Sequence, residues 1–386
     1  MRIYTLNYCY GNNYGAVLVQ YALTKVLGAY SPDIVSVRFE PCQSPVEVFC
    51  NRIYKALTNP KIALRYVHSL CNHFSTKAKK EALEKRNYTI ADASNLEIFR
   101  KKYFTTTEKI TLERDLCKIT FDKDDAVVCG SDVIWGQGNE SKNIGAYFLA
   151  WVPDNITKVA YAPSWGRANV MGYNTRTKKK LTACLARFQA VSVREKSGVR
   201  ICAEFGRDDA KWLPDPTMLL TAKDWGCIAK IPSDTSPYVL NYIVPYNDAV
   251  DTAVCLSAFA EKVITLPDIN AECVWPTPEE WLGYFQNAQF VVTNSFHGIV
   301  FCILYHKPFI YTQLIAKWKH YNDRLYSLLG RFDLMDRMIT EETYRDKIKI
   351  AEIINKEIDW KKIDEELSAW RNEARGYLDK ALQTKN

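Results

Sequence analysis

The hydrophobic pattern of the chain repeats one unit, in which a short apolar run is followed by a loop of small or polar residues and then by a stretch with helical spacing. Short apolar runs bounded in this way are typical of buried strands in successive βα units of a parallel sheet. We therefore predict an α/β fold whose strands include residues 2–6, 34–39, 126–129, 159–161, 190–193, 238–244, 263–266, 290–292 and 309–311.

The clearest example of this unit begins at Phe290. Its apolar run is followed by Thr-Asn-Ser, which are residues favoured at helix N-caps, and then by a second apolar stretch. In open α/β sheets ligands bind at the edge where strands end, and a helix N-terminus there offers N–H groups to an anion. His297 and Gly298 occupy that position. On this pattern alone, His297 either takes part in chemistry or caps the helix, and Gly298 lets a ligand approach the backbone.

The length of 386 residues suggests two or three domains. Two prolines within residues 213–216 favour a rigid linker at the end of the first half. We predict a first Rossmann-like domain over residues 1–215, with a basic helical insertion at about 46–105. A second Rossmann-like domain is predicted over 216–335. A helical segment over 336–386 then crosses back to the first domain.

Composition narrows the class of protein. Hydrophobic residues make up 47% and charged residues 25%, which is typical of a soluble globular chain. No apolar window is long enough to span a membrane, and the start of the chain does not have the pattern of a signal peptide. The 12 cysteines include no CxxC pair and match no zinc spacing. We therefore predict a cytoplasmic protein with reduced thiols and with neither a metal ion nor an organic cofactor.

The net charge of +7 is partly concentrated in residues 77–86, 178–180 and 317–320. Such runs are either solvated helix faces or surfaces that attract an anionic substrate or an anionic membrane. No nucleic-acid-binding motif accompanies them, so we predict no nucleic-acid partner.

Seven segments of the chain together resemble the polysaccharide pyruvyl transferase family. The resemblance covers roughly residues 1–335, and its segments are GNNYGAVLVQYAL (11–23), CGSDVIWG (129–136), YAPSWG (161–166), VSVREKSG (191–198), PDPTMLL (214–220), VTNSFHG (292–298) and NDRLYSLLG (322–330). It implies two Rossmann-like halves in an arrangement similar to that of GT-B glycosyltransferases, with the active cleft between them. It also implies a reaction in which phosphoenolpyruvate gives its pyruvyl group to two hydroxyls of a sugar, forming a cyclic ketal and releasing phosphate.

Three departures from the family pattern concern the expected site. Gln20 is displaced by one position in the first helix. Val133 stands where the GSDQIW form has an amide. Ser295 stands where some members have an arginine two residues before the motif histidine. Contacts to the donor carboxylate or to the acceptor are therefore expected to differ from those of other members.

The resemblance assigns candidate catalytic roles to three residues. His297 is predicted to protonate the methylene carbon of phosphoenolpyruvate or to donate to the departing phosphate. Arg194 is predicted to hold the phosphate or carboxylate, the alternative being an ion pair with Glu195 that ties loops together. Asp132 is predicted either as the base for the sugar hydroxyl or as a helix cap. His68, His73, His306 and His320 are left as structural or surface residues.

The predicted substrate-binding residues come from the same loops. Trp165 suits either a sugar-facing loop or the core, and Arg324 either the donor anion or the surface. The full predicted set is Asn13, Tyr14, Gly15, Ser131, Ser164, Trp165, Glu195, Ser295, Gly298 and Arg324.

Two other functions stay open at this stage: a GT-B glycosyltransferase that uses a nucleotide sugar, and a carbohydrate-binding protein without catalysis. The predicted partners are phosphoenolpyruvate and a saccharide acceptor from surface polysaccharide assembly, free or lipid-linked. In the lipid-linked case, residues 77–86 would aid peripheral attachment to the inner membrane face. Oligomeric state is not readable from the sequence.

Overall fold

The computed structural model describes residues 1–41, 93–136, 145–169, 173–244, 262–266, 275–314, 316–340, 342–343 and 346–382. Most of the predicted basic insertion, including residues 77–86, lies outside the described residues. Helices are numbered below through the described part of the chain.

Six parallel strands form the first sheet, in the order β2-β1-β3-β4-β5-β6. All four residues of the inner strand β1 and all four of the inner strand β3 are buried, as expected for a sheet covered on both faces. The strands are β1 (Ile3–Leu6), β2 (Ile34–Ser36), β3 (Ala126–Cys129), β4 (Thr157–Ala160), β5 (Ala190–Val193) and β6 (Lys211–Trp212).

Five parallel strands form the second sheet, in the order β11-β10-β9-β7-β8. Two parallel sheets with interleaved helices confirm the predicted α/β fold with two Rossmann-like halves. The domain limits at 215 and 335 stay predictions. The strands are β7 (Val239–Tyr242), β8 (Val263–Thr265), β9 (Phe290–Thr293), β10 (Phe309–Thr312) and β11 (Met338–Ile339).

Several helices begin at a residue whose side chain satisfies a free backbone N–H group. Asn13 caps α1, and Thr277 caps α6 in a capping box with Glu280. The helices are α1 (Tyr14–Leu27), α2 (Ala93–Tyr103), α3 (Thr175–Ala186), α4 (Lys196–Glu204), α5 (Ala222–Gly226), α6 (Pro278–Asn287), α7 (Phe296–Leu304), α8 (Asp323–Arg331), α9 (Lys347–Asn355) and α10 (Trp360–Leu382). None of these helices combines the length and the apolarity needed to cross a bilayer.

Helix α1 follows β1 of the first sheet, but its side chains pack into the core of the second half. The Tyr14 hydroxyl donates to the carbonyl of Pro276 at 2.6 Å, and its ring stacks on Trp281 at 5.8 Å between centroids. Val17 and Leu18 join the same core cluster. The start of α1 is therefore fixed against the second half, next to the loop that follows β9.

Helix α10 crosses back over both halves, as predicted. The Trp370 indole packs edge-on against Trp212 at the end of the first sheet and also against Phe332 in the second half. Farther along the helix, Ala374 and Leu378 join the hydrophobic cluster on the face of the first sheet. The end of the chain therefore holds the two halves together.

Candidate active site

Loops at the carboxyl edge of the first sheet meet around one buried carboxylate, that of Asp215. Asp215 is 1% exposed and precedes the 3₁₀ turn Pro216–Leu219. Its Oδ2 accepts hydrogen bonds from Arg194 Nη1 at 2.9 Å and from Ser131 Oγ at 3.1 Å. Its Oδ1 accepts from the backbone N–H of Thr217 at 3.0 Å and from the Thr217 hydroxyl at 2.7 Å. The loops after β3 and β5 are thereby joined to the segment after β6.

Asp215 is a site residue that the sequence does not single out, because its flanking prolines indicate only a rigid linker. In the structure Asp215 is the N-cap of the 3₁₀ turn and Pro216 is its first residue. Asp followed by Pro and Thr is a pattern typical of a helix start, so the neighbouring residues alone could have predicted that the Asp215 carboxylate is ordered as a cap. Its partners at residues 131 and 194 are distant in sequence, and no local signal predicts them.

His297 reaches the same carboxylate from the second sheet. Ser295 caps α7 by accepting a hydrogen bond from Gly298 N at 3.3 Å, which places His297 in the first turn. The imidazole is buried, and its Nε2 lies 3.7 Å from Oδ2 of Asp215, beyond hydrogen-bond distance. This nitrogen has no hydrogen-bond partner among the described residues. Arg194, Asp215 and His297 thus form one cluster, which we call the Asp215 cluster.

Burial and the neighbouring positive charges shift the pKa values of Asp215 and Glu195 to opposite sides of their ordinary values. Burial alone would raise the pKa of Asp215, but the His297 imidazole and the Arg194 guanidinium hold that pKa well below its ordinary value. Burial raises the pKa of the neighbouring Glu195, and the charge of Arg194 offsets only part of this effect. Asp215 therefore stays ionised, whereas Glu195 keeps its proton to a higher pH than an ordinary glutamate.

The Arg194 guanidinium is 3% exposed and faces three carboxylates. Besides its bond to Asp215, its Nε lies 3.4 Å from Glu195 Oε1 and its Nη2 lies 3.5 Å from Asp132 Oδ1. The guanidinium carbon also lies 4.3 Å from the centroid of the Phe296 ring. Within the described part of the chain, Nη2 makes no hydrogen bond although it is buried. One donor of Arg194 is therefore available to a ligand.

Arg324, from the first turn of α8, approaches the same aromatic ring. Its guanidinium carbon lies 5.8 Å from the centroid of Phe296 and 5.2 Å from that of Tyr321. Burial lowers the pKa of Arg324, and the neighbouring charge of Arg194 lowers it further. The described residues include no ion-pair partner for Arg324, and its buried Nε has no acceptor among them. Two arginines that repel each other around Phe296 favour the binding of an anion between them.

Asp132 lies at the margin of this arrangement, in a left-handed backbone conformation with φ of 67°. Its Oδ1 accepts a hydrogen bond from the N–H of Val133 at 2.8 Å, and its side chain is partly exposed. This hydrogen bond joins adjacent residues within the bends at 131–136 and does not cap a helix there, whereas the partial exposure is compatible with the role of a base. Both alternatives for Asp132 stay predictions.

Gly15 brings the first half of the chain into close contact with His297. A Cβ atom at residue 15 would lie 2.0 Å from Nδ1 and 2.6 Å from Cγ of the imidazole. The backbone at the start of α1 therefore packs directly on the imidazole ring, which only glycine permits.

Replacing Gly15 with alanine is expected to displace the imidazole and to lower turnover by about 10²-fold, the usual cost of a misplacement of roughly 1 Å. Steady-state kinetics with a crystal structure of the variant would check both effects. Gly330→Ala is the matched control, because a Cβ there meets no atom within 4 Å. Unchanged turnover in Gly15→Ala would show that the position of His297 does not matter.

The other predicted residues divide into loop anchors and core residues. The Asn13 side chain accepts from Ala16 N at 3.4 Å as the cap of α1. The buried Ser164 hydroxyl accepts from Gly166 N at 3.0 Å. Trp165 is buried in an aromatic cluster and stacks on Phe205 at 5.7 Å, which favours its packing alternative over a sugar contact.

The departures from the family pattern also have visible consequences. Gln20 is buried and holds the first loop, since it accepts from Asn7 Nδ2 at 2.6 Å and donates to Thr5 Oγ1 at 2.8 Å. Ser295 serves as the helix cap described above, and Arg324 is the second arginine near Phe296.

In the described residues there is no group of three or more His, Cys, Asp or Glu side chains that could hold a metal ion.

A comparison with known families decides the family of the chain. The sequence model of the polysaccharide pyruvyl transferases matches residues 13–312, which include every member of the Asp215 cluster. The chain belongs to the polysaccharide pyruvyl transferase family. Membership supports a role in polysaccharide pyruvylation in general. No curated protein matches the chain significantly.

Similar solved structures are distant in sequence. The structure of a mutant of S. aureus TarM with fondaparinux, alpha-GlcNAc-glycerol and UDP has a TM-score of 0.46 at 10% identity, covering 98% of this chain and 96% of that chain. The Arabidopsis thaliana protein UGT89C1 has a TM-score of 0.43 at 10% identity, covering 96% of this chain and 99% of that chain.

Proposed function

We propose that this pyruvyl transferase moves the pyruvyl group of phosphoenolpyruvate onto two hydroxyls of a saccharide, forming a cyclic ketal and releasing phosphate. One observation carries the proposal. Three nitrogens around Phe296, namely Arg194 Nη2, Arg324 Nε and His297 Nε2, are buried and have no hydrogen-bond acceptor among the described residues. Buried polar atoms of this kind are costly unless a ligand satisfies them.

Phosphoenolpyruvate has the chemistry that these nitrogens require. It carries a phosphate and a carboxylate, and guanidinium groups bind both through paired hydrogen bonds. The first turn of α7 adds N–H groups and the positive end of the helix dipole beside His297. The anion is thus held by cations from both halves of the chain and by backbone groups, without the arginine that some members have at the position of Ser295.

His297 and Asp132 would share the proton transfers. His297 gives a proton to the methylene carbon, which becomes the methyl group of the ketal, and the adjacent carbon develops oxocarbenium character. The first sugar hydroxyl attacks that carbon and passes its proton to Asp132. The bond between that carbon and the phosphate oxygen then breaks, and phosphate leaves with the proton held by Asp132. The second hydroxyl attacks the same carbon and gives its proton to His297, so both residues return to their starting states.

The acceptor is proposed to be a saccharide of a surface polysaccharide, either free or linked to a lipid. In the lipid-linked case the protein would act in the cytoplasm at the inner face of the membrane. The basic residues 77–86 that would favour this location lie outside the described residues.

Incubation with phosphoenolpyruvate and a panel of free and lipid-linked glycans would test the proposal. We expect phosphate release that requires a glycan, and a product whose mass has increased by one pyruvyl ketal. Turnover of a nucleotide sugar instead would identify a glycosyltransferase. Glycan binding without turnover of either donor would identify a carbohydrate-binding protein. Either of these outcomes would overturn the proposed reaction.

A further inference from the structure

A turn of aromatic and basic residues lies next to Arg324, between the arginines of the proposed donor site and the surface. The 3₁₀ turn Ala316–Asn322 carries Trp318, Lys319, His320 and Tyr321, which we call the aromatic rim. The rings of Trp318 and Tyr321 are half-buried and lie 5.9 Å apart between centroids. The exposed imidazole of His320 lies 4.1 Å from the ring of Tyr321. Three ring systems are therefore gathered in one turn, and parts of each reach solvent.

Hydrogen bonds of the Asn322 side chain fix the aromatic rim to the segment before it. Asn322 is buried, and its Oδ1 accepts hydrogen bonds from the Tyr311 hydroxyl at 2.7 Å and from Leu314 N at 3.0 Å. Its Nδ2 donates to the carbonyl of Leu314 at 2.8 Å. One side chain thus fixes both ends of the turn to the end of β10. A binding surface fixed in this way loses little conformational entropy when a ligand arrives.

The aromatic rim is also continuous with the proposed donor site. The Tyr321 ring lies 5.2 Å from the guanidinium carbon of Arg324, which itself lies 5.8 Å from Phe296. On its other side, the ring faces Gly166 in the loop after β4, where a Cβ would come within 2.9 Å of Tyr321 Cε1. Tyr321 therefore stands between the buried cations and the surface, and it borders both halves of the chain.

We propose that the aromatic rim binds the saccharide acceptor, with Trp318, His320 and Tyr321 stacking on sugar rings at the mouth of the donor site. This inference rests on the proposed function and adds to it the location of the acceptor. Aromatic side chains present a large apolar face together with a polar edge, and this combination matches the C–H face and the hydroxyls of a sugar. The position beside Arg324 brings the sugar hydroxyls close to the donor.

A lipid surface is the weaker alternative for these residues. Trp, Tyr and Lys also occur where proteins meet membranes, but binding in the plane of a bilayer needs a longer apolar face. The aromatic rim lies in a 3₁₀ segment of only seven residues, its rings contact each other, and its Tyr321 ring contacts Arg324 of the donor site. A saccharide therefore fits its size and location better.

Trp318→Ala tests the proposal, and Trp360→Ala is the matched control. Trp360 is also a half-buried tryptophan that stacks on a histidine, since its ring lies 4.9 Å from that of His306, but it starts α10 away from the donor site. Saturation-transfer NMR would measure the binding of methyl glycosides of common hexoses and N-acetylhexosamines, and of disaccharides, up to about 50 mM. We expect Trp318→Ala to weaken this binding about tenfold and Trp360→Ala to leave it unchanged.

Two further measurements keep the outcome interpretable. The His320→Ala variant, which changes an exposed residue, should also weaken glycoside binding, and thermal melting would show that both variants are folded. Because glycoside binding is measured without phosphoenolpyruvate, it can succeed even if pyruvyl transfer fails. Equal glycoside binding in Trp318→Ala and in the unaltered protein would overturn the aromatic rim as acceptor site, and so would no binding at all. Loss of binding only to phosphatidylglycerol vesicles in Trp318→Ala would also overturn it, in favour of a membrane contact.

Discussion

Replacing Arg194 with methionine is expected to lower turnover about 10³-fold and to lower the free energy of unfolding by about 3–5 kcal/mol. Turnover depends on Arg194 because one of its buried donors points to the proposed anion, and loss of such a donor costs about 10³-fold. Stability depends on it because Arg194 is the shared counter-ion of Asp215, Glu195 and Asp132. Methionine fills a similar volume but leaves these carboxylates without that charge.

The stability loss in Arg194→Met should itself depend on pH. In the unaltered protein the pKa of Asp215 lies below its ordinary value, so its ionised form contributes stability above about pH 4, and this contribution is lost as the pH falls. Without Arg194 the buried carboxylates become easier to protonate. The difference in unfolding free energy between the two proteins should therefore shrink as the pH is lowered from about 7 to about 4. Urea unfolding at several pH values would measure it.

Arg207→Met is the matched control for Arg194→Met. Arg207 is also a nearly buried arginine, and it donates to the carbonyls of Leu185 and Phe188 at 2.9 Å and 2.7 Å and pairs with Asp209. We expect its loss to destabilise the first half while the folded protein keeps its turnover. If Arg194→Met kept full turnover as well, the anion would have to be held elsewhere.

Replacing His297 with alanine is expected to lower turnover by about 10²–10⁴-fold while the fold is retained. The reason is that Nε2 is buried and makes no hydrogen bond among the described residues, so its loss removes a donor to the ligand and, inside the protein, only the 3.7 Å contact with Asp215. Steady-state phosphate release measures the effect. His297→Gln separates the two proposed roles, because glutamine can donate a hydrogen bond to phosphate but cannot give up a proton.

His306→Ala is the control for the histidine variants. His306 is exposed, follows the C-terminal end of α7 and pairs with Asp364 at 2.9 Å, so its loss should leave turnover unchanged. If turnover in His297→Gln is much higher than in His297→Ala, His297 acts as a donor to the anion. Equal losses in the two variants assign it the proton transfer. Normal turnover in both would exclude His297 from the mechanism.

Nine of the eleven strands in the described part of the chain were predictable because their signals are local, whereas β6 and β11, with two residues each, were not predicted. The apolar runs, the cap at Ser295 and the polar loops at strand ends can all be read from neighbouring residues. Residues joined across the fold were not predictable in this way. Asp215 is held by residues from two other loops, and Gly15 is constrained by a histidine from the second half of the chain, so neither contact leaves a trace in the surrounding sequence.

Trp165 and Arg324 illustrate the same limit from the other direction. Both lie in segments of the family pattern. A tryptophan such as Trp165 suits a sugar contact as well as core packing, and an arginine such as Arg324 suits an anion site as well as the surface. Burial decides between the alternatives, and burial is a property of the whole fold. Trp165 packs among other rings, whereas Arg324 faces Phe296.

The course of α10 has a consequence for how the protein is made. Its residues Ala374 and Leu378 cover a face of the first sheet that also includes Ile3 and Val128, so the beginning of the chain is completed by residues near its end. During synthesis the ribosome releases β1 long before α10. Until residues 360–382 have emerged, the first half is therefore expected to keep an exposed apolar face to which chaperones can bind.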